Sequence, residues 1–258
     1  MLRRLRRWRE DRRLAALLVP ESLWQEALAH WPAARRYQGD MQQQWRDMAL
    51  RFLLRKSFVS GAGFEITDVV RLRISLMATL PVLGLGLDWY RRFDTLVVYE
   101  TPFIPGHEQY DELGLVVSQA EPLSGEAWHD GLVILSWEDI STPSQAGFAH
   151  NVVIHEMAHQ LDMLHDGANG APPLHADMDP ARWHDLFTEA WDDLGQRAER
   201  GRDMPVDPYG LEDAGEFFSV VCEAFFENPD GLRDCWPALY AELRRFFRQD
   251  PAAGQLEP

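Results

Sequence analysis

The residues best suited to chemistry lie in the pentapeptide His155-Glu156-Met157-Ala158-His159, which has the pattern H-E-x-x-H. Positions four residues apart lie on one face of an α-helix, so both histidines can direct a ring nitrogen at the same ion. Two neutral imidazoles suit Zn²⁺, which accepts nitrogen, oxygen or sulfur ligands. Glu156 flanks the same point, where it could take a proton from an activated water molecule and pass it to a leaving amine. The pentapeptide therefore predicts hydrolysis assisted by one zinc ion.

The segment around the pentapeptide is predicted to be a buried helix. A stripe at helical spacing carries both histidines, and apolar residues cover most of the other faces; the stripe comprises Phe148, Val152, His155, His159 and Asp162. A helix that is apolar nearly all round belongs in a core. Buried polar groups are costly without partners, so the histidines and Glu156 require them. The alternative, a solvated helix with incidental histidines, does not fit such apolar flanks.

A catalytic zinc ion typically has three protein ligands and an open fourth position. A second very apolar helix, predicted over residues 215–226, carries Glu216 and Glu223 seven residues apart and so on one face. A buried carboxylate next to a cation is stabilised, so this helix could supply the third ligand. Glu216 could equally form a capping box with Asp213 at the start of the helix. The spacing alone leaves both roles of Glu216 open.

His165 is a competing third ligand, because His155, His159 and His165 have the spacing of the metzincin motif. Asp162 stands where that motif has the glycine that lets the chain turn back. Residues 160–164 instead continue a helical pattern, and a continued helix would place His165 about 120° away from the face of His159. We therefore expect that His165 does not bind the ion. Asp162 would stay on the ligand stripe, where it could orient a histidine from behind.

Charge is unevenly distributed along the 258 residues, whose formal net charge is −16. Residues 1–13 contain seven Arg against Glu10 and Asp11, a net charge of +5, so the remainder carries −21. Such an acidic body argues against direct nucleic-acid binding, which needs a basic surface. We expect a solvated basic arm over residues 1–19, with no secretory signal and no transmembrane segment. Two cysteines do not indicate a disulfide scaffold, and the chain is expected to be cytoplasmic.

The pattern of elements predicts one α+β domain over residues 20–250, with N-terminal helices in 20–90 and a catalytic core in 91–250. Helical periodicity predicts helices over residues 20–31, 40–56, 67–78, 180–200 and 239–247, besides the two apolar helices. Short β-rich runs predict a small sheet with strands at residues 96–99, 113–117 and 131–137, and residues 121–130 are expected to form a loop. The tail, residues 251–258, is expected to be disordered.

Three separate blocks of sequence together resemble one known family. Residues 150–164 resemble the metal-binding helix of the Mlc titration factor A (MtfA) family of zinc peptidases. Residues 125–128 with 133–139 agree with the same family, and so does Asp207-Pro208-Tyr209 followed by Glu216-Phe217-Phe218. These blocks span about residues 95–230, and the N-terminal helices are similar more loosely.

The resemblance implies a mainly helical α+β fold of the zincin type with a small sheet, similar to the catalytic domain of anthrax lethal factor. It implies that Glu216 is the third metal ligand, beside His155 and His159. It also implies that Tyr209 sits over the metal, where its hydroxyl could donate to the oxyanion of a tetrahedral intermediate. Enterobacterial members bind the glucose repressor Mlc, so a transcriptional repressor of that type is an implied partner besides the peptide substrate.

The leading hypothesis is therefore a peptidase with one Zn²⁺, in which Glu156 is the general base and then the acid. A second hypothesis is a regulatory module that sequesters a transcription factor, with zinc structural or vestigial. An intact Glu156 beside an open three-ligand site favours the enzyme, because structural zinc sites are usually closed by a fourth residue. The two roles can coexist. A third hypothesis is a peptidase held at an anionic membrane surface by the arginine-rich arm.

Overall fold

A computed structural model of the protein describes residues 10–14, 17–102, 125–127, 131–142, 148–165 and 167–257. Helices make up most of the described chain, with residues 10–14 also helical: α1 (Glu21–Leu28), α2 (Gly39–Arg55), α3 (Asp68–Thr79), α4 (Trp137–Ser141), α5 (Val152–Asp162), α6 (Pro180–Glu199), α7 (Ala214–Glu227), α8 (Pro229–Cys235) and α9 (Pro237–Phe247). Short 3₁₀ helices cover Pro32–Arg36, Leu87–Tyr90 and Pro208–Leu211. Within these ranges, no helix has the length and hydropathy needed to cross a bilayer.

The main sheet has four described strands in the order β1-β2-β4-β3: β1 (Ser57–Ser60), β2 (Thr95–Tyr99), β3 (Gly125–Ala127) and β4 (Leu132–Ser136). The first two pairings are parallel, with Leu96 beside Val133, whereas β3 runs antiparallel to β4, with Glu126 beside Ile134. Among the described strands, β3 therefore lies at one edge of the sheet. This edge strand packs against α5, the helix that carries the H-E-x-x-H pattern.

The two apolar helices pack against each other at the centre of the molecule. α5 contacts α7 along its length and also touches α3 and the sheet. Four aromatic side chains of α7 lie in the core, namely the buried Phe217, Phe218, Phe225 and Phe226. Burial of apolar surface of this extent is the main force that holds the two helices in place.

The N-terminal helices α1, α2 and α3 form a layer that packs on the core through α3, which contacts α5. Trp45 on α2 is fully buried, and its indole nitrogen donates to the carbonyl of Leu76 on α3 at 2.9 Å. Arg73 on α3 is also buried, and its guanidinium donates to backbone carbonyls at the end of α1, including that of Ala27 at 2.9 Å. These bonds satisfy polar groups that would otherwise be costly to bury.

Most predicted helices are confirmed, whereas the sheet is only partly as predicted. The predicted strands at residues 96–99 and 131–137 correspond to β2 and β4. Residues 125–127 form β3, so the prediction of a loop over 121–130 is wrong at these positions. None of the predicted strands corresponds to β1, and the predicted strand at residues 113–117 lies outside the described residues.

Two predictions about the ends of the chain need correction. The arm is not wholly solvated, because Glu10 accepts two hydrogen bonds from Arg55 on α2, at 2.7 and 2.9 Å, and Asp11 pairs with Arg51 at 2.7 Å. The tail is not disordered over residues 251–257. It forms a hairpin in which β6 (Gln255–Leu256) pairs with β5 (Gln249–Asp250). The arm and the tail both carry acidic groups that meet arginines of the body, a complementarity that helical periodicity does not reveal.

Candidate metal centre

Asn151 caps the start of helix α5, because its side-chain oxygen accepts from the backbone nitrogen of Ile154 at 3.2 Å. This cap sets the start of the helix at Val152, so Phe148 lies before it and not on its stripe as predicted. His155 and His159 follow on one face, with ring centroids 4.9 Å apart. Their Nε2 atoms are separated by 3.2 Å. The predicted convergence of the two histidines is confirmed.

Glu216 reaches the same point from the first turn of α7. One carboxylate oxygen lies 2.9 Å from His155 Nε2, and the other lies 3.3 Å from His159 Nε2. The capping role falls to Asp213, whose side chain accepts from the backbone nitrogens of Gly215 and Glu216 at 2.8 and 3.0 Å. The cap at Asp213 therefore fixes the start of α7 while leaving the Glu216 carboxylate directed at the histidines.

The three side chains fit a metal ion by their chemistry and their spacing. His155, His159 and Glu216 are the one group of His, Cys, Asp and Glu side chains in the described ranges that could hold an ion. Metal–ligand distances of ~2.0–2.2 Å in a tetrahedron place ligand atoms about 3.3 Å apart. The two Nε2 atoms lie 3.2 Å apart, one Glu216 oxygen lies 2.9 Å from His155 Nε2 and the other lies 3.3 Å from His159 Nε2, all close to that value. Two nitrogens and a carboxylate oxygen are also a donor set that zinc accepts.

The electrostatics of the site favour positive charge between these residues. Burial raises the pKa of Glu216, but its hydrogen bonds with His155 and His159 outweigh burial and bring that pKa well below its usual range. Burial lowers the pKa of His155, but hydrogen bonds with Glu216 and Glu223 raise it to a net value well above normal. A bound cation would meet the same carboxylates and would take over the role of the histidine charge.

Glu156 lies on the buried side of α5 and is only 4% exposed. Its Oε2 atom has no hydrogen-bond partner among the described residues, although it is buried. Burial is the largest cause that raises the pKa of Glu156, to about 7, while His155 and His159 lower it. A carboxylate that exchanges protons near neutral pH is suited to general acid–base chemistry.

Tyr209 approaches the histidines from the 3₁₀ helix Pro208–Leu211. The Asp207 side chain accepts from the backbone nitrogen of Tyr209 at 2.9 Å and so fixes this turn. The ring centroid of Tyr209 lies 6.2 Å from that of His155, and the residue is 43% exposed. Burial and the nearby Glu216 raise the pKa of the phenol, which keeps its proton at neutral pH and can donate it in a hydrogen bond.

His165 and Asp162 have different surroundings from the proposed ligands. His165 is exposed and does not belong to the group formed by the two histidines and Glu216. α5 ends at Asp162 rather than continuing through residue 164 as predicted. Asp162 accepts from the backbone nitrogen of Gly170 at 2.7 Å. Among the described residues, no hydrogen bond joins Asp162 to a histidine ring. The expectation that it orients a histidine therefore lacks support there.

Glu223, which the sequence placed on the same face as Glu216, contacts a ligand from behind, a role that was not predicted. Glu223 Oε1 lies 2.8 Å from His155 Nδ1, the ring nitrogen that points away from the proposed metal position. The sequence does carry a sign of it, because Glu216, Glu223 and Glu227 recur at spacings of seven and four on an otherwise apolar helix. Residues at these spacings share one face.

Comparison with known proteins shows the family to which the chain belongs. The family model for the glucose-regulated metallo-peptidase M90 matches residues 5–248. Among curated proteins, Mlc titration factor A of Yersinia pestis (strain Pestoides F) is 36% identical over 252 residues, which cover 95% of this chain and 90% of the relative. Mlc titration factor A of Yersinia pseudotuberculosis serotype O:1b (strain IP 31758) has the same identity and coverage. The chain therefore belongs to the glucose-regulated metallo-peptidase M90 family, and its relatives include Mlc titration factor A.

Proposed function

We propose that this protein is a zinc-dependent peptidase with one metal ion held by His155, His159 and Glu216. The observation that carries the proposal is the convergence of three ligand atoms beside Glu156, a buried carboxylate whose Oε2 atom has no hydrogen-bond partner among the described residues. Zn²⁺ at such a site supplies Lewis acidity, which polarises a carbonyl group and acidifies water. Membership of a metallopeptidase family supports the reaction class.

Glu156 and Tyr209 have complementary roles in this proposal. Glu156 takes a proton from the attacking water molecule and later delivers it to the nitrogen of the leaving amine. Its raised pKa, about 7, suits both steps, because the group must be ionised first and protonated afterwards. The Tyr209 hydroxyl donates a hydrogen bond to the oxyanion of the tetrahedral intermediate, where negative charge develops. Its partial exposure leaves it accessible to a bound substrate.

Strand β3 is a suitable element to hold the substrate. It is an edge strand among those described, it packs against α5, and its outer edge can pair with an extended peptide through backbone hydrogen bonds. Such pairing would place a peptide bond near the metal without selecting side chains. Similarity to the catalytic domain of anthrax lethal factor follows from the family resemblance and stays a prediction.

A second function is supported by the printed name of the relatives, Mlc titration factor A. That name suggests that those proteins interact with the repressor Mlc, and a repressor of that type is a candidate partner here. In this reading the chain sequesters a transcription factor, and its zinc is structural or vestigial. The intact Glu156 beside an open site favours the peptidase, and one protein can combine both roles.

The test is cleavage of a broad peptide library by the zinc-loaded wild type and by Glu156→Gln, with zinc content measured in both. We expect Glu156→Gln to keep its zinc and to lose ~10²–10⁴-fold in rate, because general acid–base catalysis contributes about that much. Library members with free and with blocked N-termini separate aminopeptidase from endopeptidase action. Glu242→Gln removes a buried carboxylate that pairs with Arg182 and Arg245, and serves as the matched control.

Two results would contradict the peptidase proposal. Cleavage by Glu156→Gln at the wild-type rate would remove the assigned mechanism. A wild type that cleaves nothing in the library, but binds a repressor of the Mlc type, would favour the sequestering module instead.

A further inference from the structure

Helix α7 carries a buried carboxylate, Glu223, and a half-buried one, Glu227, that the proposed reaction does not use. We propose that Glu223 is a positioning residue, whose carboxylate holds His155 with Nδ1 as the proton donor and leaves Nε2 free to bind the metal. The inference rests on the proposed metal centre and adds the residue that orients one of its ligands.

Every oxygen of the Glu223 carboxylate has a donor. The side chain is 2% exposed, and its Oε1 lies 2.8 Å from His155 Nδ1. Its Oε2 accepts from the backbone nitrogen of Asn151 and lies 3.4 Å from His150 Nδ1. A histidine that donates its outer N–H to a carboxylate has a fixed tautomer and ring orientation and is a more basic ligand.

A second layer of hydrogen bonds holds Asn151, and so the start of the metal helix. The amide nitrogen of Asn151 donates to Glu227 Oε1 at 2.7 Å, and the same oxygen accepts from the indole nitrogen of Trp31 at 2.7 Å. Arg36 donates to the backbone carbonyls of Phe226 and Glu227 at 3.3 and 3.2 Å. The N-terminal layer thereby fixes the helix cap against which Glu223 and His155 are aligned.

The two donors that meet Glu223 explain why a carboxylate is needed at this position. His155 Nδ1 and the Asn151 backbone nitrogen approach different oxygens, and both are donors. An amide side chain has a single acceptor oxygen, so glutamine would leave one of these donors facing an NH₂ group. An unsatisfied buried donor is costly, and the His155 ring would lose its orientation.

The hydrogen bond from behind is made by only one of the two histidine ligands among the described residues. His159 Nδ1 is buried without a hydrogen-bond partner among the described residues, whereas His155 Nδ1 is bonded to Glu223. A change at Glu223 should therefore alter the His155 ring and leave the His159 ring near its original state. This difference separates a positioning effect from a general loss of structure.

The experiment compares Glu223→Gln with wild type and with Glu242→Gln, the same change in a buried carboxylate that pairs with Arg182 and Arg245 and not with the proposed ligands. Zinc affinity is measured by chelator competition, and the histidine ring nitrogens are observed by ¹⁵N NMR in the metal-free and zinc-bound full-length proteins. We expect Glu223→Gln to lose ~10–100-fold in zinc affinity, as substitutions behind metal ligands do. In Glu223→Gln the Nδ1–H resonance of His155 should shift in both the metal-free and the zinc-bound protein, while the ring resonances of His159 stay in place. In Glu242→Gln the ring resonances of both histidines should stay in place.

Contrary results overturn either this inference or the proposed function, and they can be told apart. Equal zinc affinity in both variants, with an unshifted His155 resonance, would overturn the positioning role. A wild type that binds zinc with the Glu223 dependence described, but cleaves no peptide, would overturn the peptidase and leave the positioning role intact. A wild type that binds no zinc would remove the metal centre. An Nδ1–H shift of His155 in metal-free Glu223→Gln would then still support Glu223 as the partner of His155.

Discussion

Replacing Glu216 with alanine tests the assignment of the third ligand. The two carboxylate oxygens of Glu216 lie 2.9 and 3.3 Å from the Nε2 atoms of His155 and His159, so this side chain closes one side of the site. Its removal leaves two ligands, whereas catalytic zinc typically has three. His165→Ala is the matched control, because it removes a histidine that is exposed and outside the ligand group.

The expected loss of zinc affinity can be estimated from substitutions of residues that lie behind metal ligands. Substitutions behind metal ligands cost ~10–100-fold in affinity, so removal of a ligand itself should cost at least ~100-fold. At a fixed concentration of free zinc well above both dissociation constants, a 100-fold weaker Kd lowers the stabilisation by zinc by ~2.7 kcal/mol. For a domain of this size, that loss corresponds to a zinc-induced rise in Tm that is smaller by roughly 5–10 °C.

Scanning calorimetry with and without zinc, together with chelator competition, measures both quantities. Glu216→Ala should bind zinc at least ~100-fold more weakly in the chelator competition and should show the smaller zinc-induced rise in Tm, while His165→Ala should match the wild type in both. The opposite pattern, with zinc kept in Glu216→Ala and lost in His165→Ala, would refute both the ligand assignment and the reasoning from helix geometry.

Three further predictions concern catalysis and the N-terminal arm. Tyr209→Phe should lower kcat more than it raises KM, with zinc content unchanged, because its hydrogen bond strengthens only in the transition state; loss of zinc in this variant would make Tyr209 a ligand or a structural support. The acid limb of kcat/KM should lie below pH 7, because burial raises the pKa of the base Glu156 to about 7 and a metal cation lowers it again. Activity is lost as the pH falls through that pKa, and a midpoint above pH 8 would point to another group. Glu10→Gln should lower the unfolding free energy by at most ~1 kcal/mol. A double-mutant cycle with Arg55→Met that gives no coupling would show that the arm is not held by this ion pair.

The long helices could be predicted from sequence because their periodicity is local. The amphipathic pattern of residues 180–200 and the apolar pattern of residues 215–226 correspond to α6 and α7 within a few residues. The strands are different, because β1 has four residues and β3 has three, too few for an alternating pattern to stand out. The position of β1 depends on pairing with β2, which lies far away in the sequence, whereas β3 pairs with β4, which follows it closely.

The candidate site likewise combines one feature that local spacing predicts with contacts between residues that lie far apart in the sequence. The spacing of His155 and His159 on one helix predicts their convergence, which the structure confirms. Glu216 lies 61 residues from His155, and the sequence pattern left its role open between a ligand and a cap. The spacing on α7 places Glu223 on the same face as Glu216, but its contact with His155 depends on how α7 packs against α5, which spacing within one helix does not specify. The tail was missed for two reasons: its strands have only two residues each, too few for an alternating pattern, and the ion pair of Glu257 with Arg244 is a tertiary contact.

Anomalous X-ray diffraction at the zinc edge, from crystals of the zinc-loaded protein, tests the metal centre most directly. The predicted result is a single strong peak at ~2.0–2.2 Å from His155 Nε2, His159 Nε2 and one carboxylate oxygen of Glu216, with Glu156 beside it but not bound to it. A peak at His165, or the absence of a peak among the three predicted ligands, would contradict the account.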